Sequence, residues 1–230
     1  FLYEEFLREC MDAGIEFSGG TRYAGIRVSI PNDGERVNDD NQTTAQNTNH
    51  PVARAPGSDS IVRLEKNGRG FEVKTKVLIG ADGARSRVAR DLRLDENREW
   101  IVGYEEVFQT ADTGREPRLH CFLDAHLAPG YLAWVADDGE EIHIGVGGYA
   151  ANFNPREALK SFKEKTAHLF DLKEASLKET RGGRIPVGGI LRRIAGEKGL
   201  LIGDAAGAVS PLTAGGLDPA LRLSRFAAEI

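Results

Sequence analysis

Apolar residues recur along this chain at two different spacings. Leu2, Phe6, Leu7, Cys10 and Met11 fall three and four apart. That spacing predicts an amphipathic helix over 1–13, stopped by Gly14. Ile15-Glu16-Phe17 and Tyr23 to Ile30 read as strands. Ser60 to Leu64 and Phe71 to Val77 flank Lys66-Asn67-Gly68, a hairpin signal. Trp100 to Thr110, Pro117 to Asp124, Tyr131 to Ala136 and Glu141 to Gly148 are strand-like runs joined by short turns. Such connections predict an antiparallel sheet. From Pro155 to Phe170 the period becomes helical again, with Asn154 as N-cap and Ala158, Leu159, Phe162 and Leu169 on the apolar side. Arg181 to Gly189 is expected to carry the chain away from the sheet.

Two segments have another form, an apolar run followed by a turn of small residues and a new helix. One is Val77-Leu78-Ile79-Gly80-Ala81-Asp82-Gly83, leading to Ser86-Arg87. The other is Leu200-Leu201-Ile202-Gly203-Asp204-Ala205-Ala206-Gly207, leading through Pro211 and Gly215-Gly216-Leu217 to Asp218-Pro219. Ligands of open α/β sheets sit at such strand ends. Small residues let a ligand approach the backbone, and the unpaired N–H groups of a helix start favour negative charge. Asp218 is the expected N-cap of the last helix.

Composition narrows the class. The 230 residues are 40% hydrophobic and 28% charged, with a net charge of −5. These values fit a folded domain, and no Lys/Arg cluster points to nucleic acid. Cys10 and Cys121 have no pairing or metal spacing and read as reduced, buried cysteines of a cytoplasmic protein. No His/Cys/Asp/Glu spacing suggests a metal. Residues 31–59 are polar and rich in Asn and Asp, a flexible insertion. His120 and His143 fall in strands; each is a pocket candidate or a structural histidine.

Residues 203–217 resemble the second FAD motif of flavoproteins of the para-hydroxybenzoate hydroxylase and geranylgeranyl reductase type. The resemblance implies that Asp204 holds the ribityl chain of FAD and that Gly215-Gly216-Leu217 lies against the flavin's pyrimidine edge. It also places Gly203, Ala205, Ala206 and Pro211 at the cofactor. Ser210-Pro211-Leu212-Thr213 is closer to the reductase branch; the hydroxylases more often have His at position 207. Asp82, Gly83, Ser86 and Arg87 resemble the family's Asp-Gly motif, beside the cofactor pyrophosphate and coupled to NAD(P)H. The family's Gly-x-Gly-x-x-Gly opening is not matched. Gly145-Val146-Gly147-Gly148-Tyr149-Ala150 lies between the two motifs and reads as a glycine-rich strand end. The chain is therefore expected to be an N-terminally truncated member.

The implied fold is α/β (α+β): a partial FAD-binding Rossmann-like domain with an inserted antiparallel β-sheet substrate domain. The expected boundaries are 1–98, 99–180 and 181–230. The implied function is an FAD-binding oxidoreductase, a reductase or dehydrogenase of a small apolar substrate with NAD(P)H as electron donor and peripheral membrane contact. The alternatives are a flavin monooxygenase of an aromatic substrate and a non-catalytic remnant. Tyr131 and Trp134 are the candidate substrate-lining residues. Geranylgeranyl reductases carry Pro-x-x-Tyr-x-Trp-x-Phe-Pro, which Pro129 and Trp134 fit; Leu132 stands at the Tyr position and Ala136-Asp137 at the Phe-Pro end. Strand alternation then puts Tyr131 and Trp134 on opposite faces unless a bulge intervenes. No residue stands out as catalytic.

Overall fold

The computed structural model describes residues 2–28, 60–110, 116–151, 153–169, 172 and 175–229. The expected insertion at 31–59 lies outside them. The chain forms two compact units, residues 1–78 and 79–230.

The first unit holds helix α1 (Leu2–Asp12) and strands β1 (Thr21–Val28), β2 (Ser60–Lys66) and β3 (Arg69–Thr75). Gly14, at φ +81°, lets the chain turn back on the helix end. Its N–H bonds to Met11 O at 2.9 Å and that of Ile15 to Cys10 O at 3.0 Å, a paired C-terminal cap. The N–H of Ile15 is thus engaged by the helix, and Ile15–Phe17 forms no strand, contrary to its apolar pattern. The three strands pair antiparallel in the order β1-β2-β3. Asn67 and Gly68 both have positive φ, 52° and 74°, as a two-residue hairpin turn requires.

The second unit is built on a five-stranded antiparallel sheet of order β6-β7-β8-β5-β9. Its strands are β5 (Trp100–Gln109), β6 (Arg118–Phe122), β7 (Ala133–Asp137), β8 (Glu141–Tyr149) and β9 (Ser176–Pro186). β9 pairs with β5 along its length, so the sheet continues through residue 181 to Pro186. Ile142, Ile144 and Val146 project to one face and pack with Val135, Leu159 and Phe162. Leu159 and Phe162 come from α3 (Pro155–Thr166), which Asn154 caps by accepting from the N–H groups of Arg156 and Glu157. Each buried side chain of this size contributes about 1.5–3 kcal/mol. Leu169 lies past the end of α3 and is exposed.

A smaller sheet of order β10-β11-β4 joins β4 (Leu78–Gly80), β10 (Ala195–Gly196) and β11 (Gly199–Leu201). It leads into both small-residue turns. β4 is followed by α2 (Arg87–Asp91), and β11 by a 3₁₀ turn (Gly203–Ala206) and then α4 (Leu217–Ala228). Both cysteines are exposed rather than buried. Cys121 sits on edge strand β6, on the face that α3 leaves uncovered.

Candidate functional site

The two strand ends lie side by side. The N–H of Ile202 donates to Gly80 O at 2.9 Å. A Cβ on Gly80 would stand 2.7 Å from Leu201 Cδ2 and 2.9 Å from Val88, so no larger residue fits. Asn97 braces the turns that follow. Its Nδ2 donates to Ala84 O at 3.2 Å and to Asp204 O at 2.7 Å. Gly207 completes the contact at φ +70°; a Cβ there would meet Gly189 O at 2.4 Å and Asn97 Oδ1 at 2.9 Å. Asn97 carries no motif signal, because its role depends on a partner 107 residues away. A cavity of about 160 Å³ between the two turns is lined by Ala84, Ser86, Asn97 and Ala205, among others.

The two acids differ in what they do. Asp82 holds the start of α2: Ser86 Oγ donates to Oδ1 at 2.5 Å, and the N–H groups of Arg87 and Val88 donate to Oδ2 at 2.7 and 3.2 Å. Ser86 Oγ in turn accepts from Ala89 N at 2.9 Å. The carboxylate therefore shapes the loop at Gly83, which is at φ +80°, while Arg87 is exposed. Asp204 is half-buried, and its carboxylate has no hydrogen-bond or ion-pair partner among the described residues. Burial pushes its pKa up. Its Oδ1 faces Gly216, where a Cβ would stand 3.1 Å away.

Gly216, not Asp218, is the N-cap of α4, and no side chain among the described residues caps this helix. Asp218 lies inside the first turn and accepts two bonds from Arg222 Nε, each 2.9 Å. An acid at that place is held by the cation one turn on rather than by the helix end. The start of α4 is thus left without a side-chain cap among the described residues, and Asp204 Oδ1 faces its N-cap, Gly216. The preceding loop closes on itself through Ser210 N to Gly215 O at 3.0 Å, leaving Pro211, Gly215 and Leu217 exposed. Gly203, at φ +58°, starts the turn, and Ala205 and Ala206 are buried beneath it.

Tyr131 and Trp134 share a face, contrary to the alternation argument. Tyr131 precedes β7, in a turn where Gly130 adopts φ +76°, so strand alternation does not reach it. The Tyr131 ring lies over Gly147 and the Trp134 indole over Gly145; Cβ atoms there would stand 2.7 and 2.1 Å from the rings. The glycine-rich run is the interior of β8, emptied of side chains to admit two aromatic rings. Tyr131 Oη donates to Thr213 O at 2.6 Å, tying this face to the loop before α4. His143 is on the same face; His120 is on the opposite one, paired with Val135.

These features match a known fold. The FAD binding domain family model covers residues 43–222, which includes both turns and the sheet between them. The chain belongs to this FAD-binding family. It is 36% identical over 179 residues to digeranylgeranylglycerophospholipid reductase 1 of Methanopyrus kandleri, covering 74% of this chain and 47% of that protein. The chain thus spans about half the length of the curated relatives it matches. A geranylgeranyl bacteriochlorophyll reductase-like protein from Thermoplasma acidophilum has the same fold, at TM-score 0.62 and 22% identity over 77% of this chain and 46% of that one. Aklavinone-11 hydroxylase, solved with FAD and aklavinone, aligns at TM-score 0.56 and 18% identity over 87% of this chain and 34% of the hydroxylase. FAD is the cofactor of this family, and the corner around Asp204 suits it. An acid without a partner among the described residues and a helix start without a side-chain cap offer an acceptor and N–H donors, and the small residues beside them leave room for a polar ligand. Among the described residues no helix is long and apolar enough to cross a membrane.

Proposed function

We propose that the chain is the cofactor- and substrate-binding part of an FAD-dependent reductase that saturates carbon–carbon double bonds of an apolar, isoprenoid-type chain. The observation that carries this reading is the Asp204 carboxylate, half-buried, unpartnered and facing the uncapped start of α4. Similarity to a digeranylgeranylglycerophospholipid reductase supplies the substrate class. Bound FAD supplies the hydride chemistry, drawn from NAD(P)H.

The chain's own residues bind and orient. The Asp204 carboxylate accepts hydrogen bonds from the ribityl hydroxyls. Backbone N–H groups at Leu217 and Asp218, with the positive end of α4, stabilise negative charge at the pyrimidine edge. Gly203, Ala205, Ala206, Pro211, Gly215 and Gly216 keep side chains out of the cofactor's path. Asp82 acts through the backbone of its loop, which it holds in shape with Gly83, and Arg87 offers charge beside the pyrophosphate. Tyr131 and Trp134 line the substrate side. Reduced cysteines fit a cytoplasmic setting, and an apolar lipid substrate brings peripheral membrane contact with it.

Titration of the chain with FAD is the test. Asp204→Ala is expected to weaken binding tenfold or more, the effect of about 1.5–3 kcal/mol for a hydrogen bond to a charged group. Unchanged affinity in Asp204→Ala removes the basis of this reading; no binding by the parent chain favours the non-catalytic remnant. The fold shared with aklavinone-11 hydroxylase favours flavin monooxygenation as a second reading. Oxygen uptake coupled to a hydroxylated product, in place of a saturated one, selects it.

A further inference from the structure

The face of the five-stranded sheet opposite α3 carries one row of residues across all five strands: Cys121, Trp134, Gly145, Glu105 and Arg181. The row is graded. On the β6 side it is apolar, and Leu119, on the same face, is 66% exposed. On the β5 and β9 side it is charged. Trp134 stands between the two halves, its six-membered ring over Gly145. Its Nε1–H donates to Glu105 Oε2 at 2.7 Å. Glu105 is itself confined: His143 Nδ1 lies 3.3 Å and Arg181 Nη1 3.6 Å from its Oε1, and its side chain is only 18% exposed.

A glycine beneath an indole allows the ring to lie flat but does nothing to keep it there. A directional bond from the ring nitrogen to a fixed carboxylate does, and charge assistance makes it a strong one. We propose that Glu105 is a positioning residue. It holds the Trp134 indole over Gly145, so that this ring and the Tyr131 ring over Gly147 form an aromatic floor for an extended, unsaturated hydrocarbon chain. The floor reaches the cofactor corner through the bond from Tyr131 Oη to Thr213 O. The inference rests on the reductase reading above and adds to it the group that sets the floor's geometry.

Trp134 can be observed directly once the other tryptophan is removed by Trp100→Phe. In that background Glu105→Ala is expected to red-shift the emission and increase quenching by acrylamide. Glu105→Gln, which keeps an acceptor for Nε1–H, is expected to match the parent. Gly145→Ala places a Cβ 2.1 Å from the indole and is expected to displace the ring and give the same red shift as Glu105→Ala. Binding of geranylgeraniol, followed by the same emission, should weaken about fivefold in Glu105→Ala and stay near the parent value in Glu105→Gln. If Glu105→Ala does not fold, Glu105→Met, of similar volume and without an acceptor, must show the shift. Unshifted emission in Glu105→Ala or Glu105→Met, or equal shifts in Glu105→Gln and Glu105→Ala, overturns the positioning role. FAD titration separates the two failures. A chain that shows the Glu105→Ala shift but binds no FAD retains the positioning role and loses the reductase reading. A chain that binds FAD with unshifted Glu105→Ala emission does the reverse.

Discussion

Asp204, the proposed ribityl-binding residue, works against the fold that carries it. Its carboxyl is half-buried without a partner, and burial raises its pKa above the ordinary value of 3.8. The fold therefore disfavours the charged form relative to the unfolded chain, and ionising this group costs stability. That cost is absent below 3.8 and grows as pH rises through the raised folded value. Asp204→Asn is accordingly expected to melt at a higher temperature than the parent at neutral pH without FAD. The difference should vanish as pH falls below 3.8, as thermal melts over a pH series can check. The same variant should bind FAD more weakly. Asp82 is the contrasting case. Its sequence context is nearly the same, but Ser86 and two backbone N–H groups already satisfy it. An acid in a small-residue turn after an apolar run was legible at both places; which carboxylate the fold leaves without a partner was not.

At the scale of elements, Asn97 braces the corner where the two strand–turn segments meet. It lies between α2 and β5, outside any regular element, yet bonds to the loop after β4 and to the 3₁₀ turn after β11. Asn97→Ala leaves two carbonyls without this partner and is expected to cost about 1–3 kcal/mol in denaturant unfolding. FAD affinity should fall with it, because the two turns lose their brace. Helix α4 teaches a related point. Asp218-Pro219 after two glycines reads as a cap followed by the first helical residue, yet the helix starts one residue before Asp218 and Arg222 takes the carboxylate. With Gly216 at the cap position, Asp218 already lies inside the first turn and pairs with Arg222 on the exposed helix surface.

At the scale of the second unit, the five-stranded sheet and the loop before α4 are linked by Tyr131, whose hydroxyl donates to Thr213 O at 2.6 Å. Burial raises the Tyr131 pKa, with the Cys121 thiol a smaller contributor, so the phenol stays a neutral donor across the physiological range. Tyr131→Phe is expected to leave the sheet intact by circular dichroism. Hydrogen exchange should quicken at residues 212–216, and FAD affinity should drop severalfold, by the net worth of about 0.5–1.5 kcal/mol of one hydrogen bond.

Local order was readable wherever it depends on neighbours a few residues apart. The hairpin at Asn67-Gly68, the Asn154 cap of α3, the alternation of β8 and the two strand–turn corners all follow from short-range geometry and spacing. Registers and close approaches were not readable, because they set residues far apart in the chain against each other. Nothing near Tyr131 tells that Gly130 turns it onto the same face as Trp134. Nothing near Asn97 or Glu105 tells that one will join the two strand-end turns and the other will bond an indole. Apolar pattern establishes which side of an element is buried; packing alone establishes what it is buried against, and the chemistry of this site lies in those pairings.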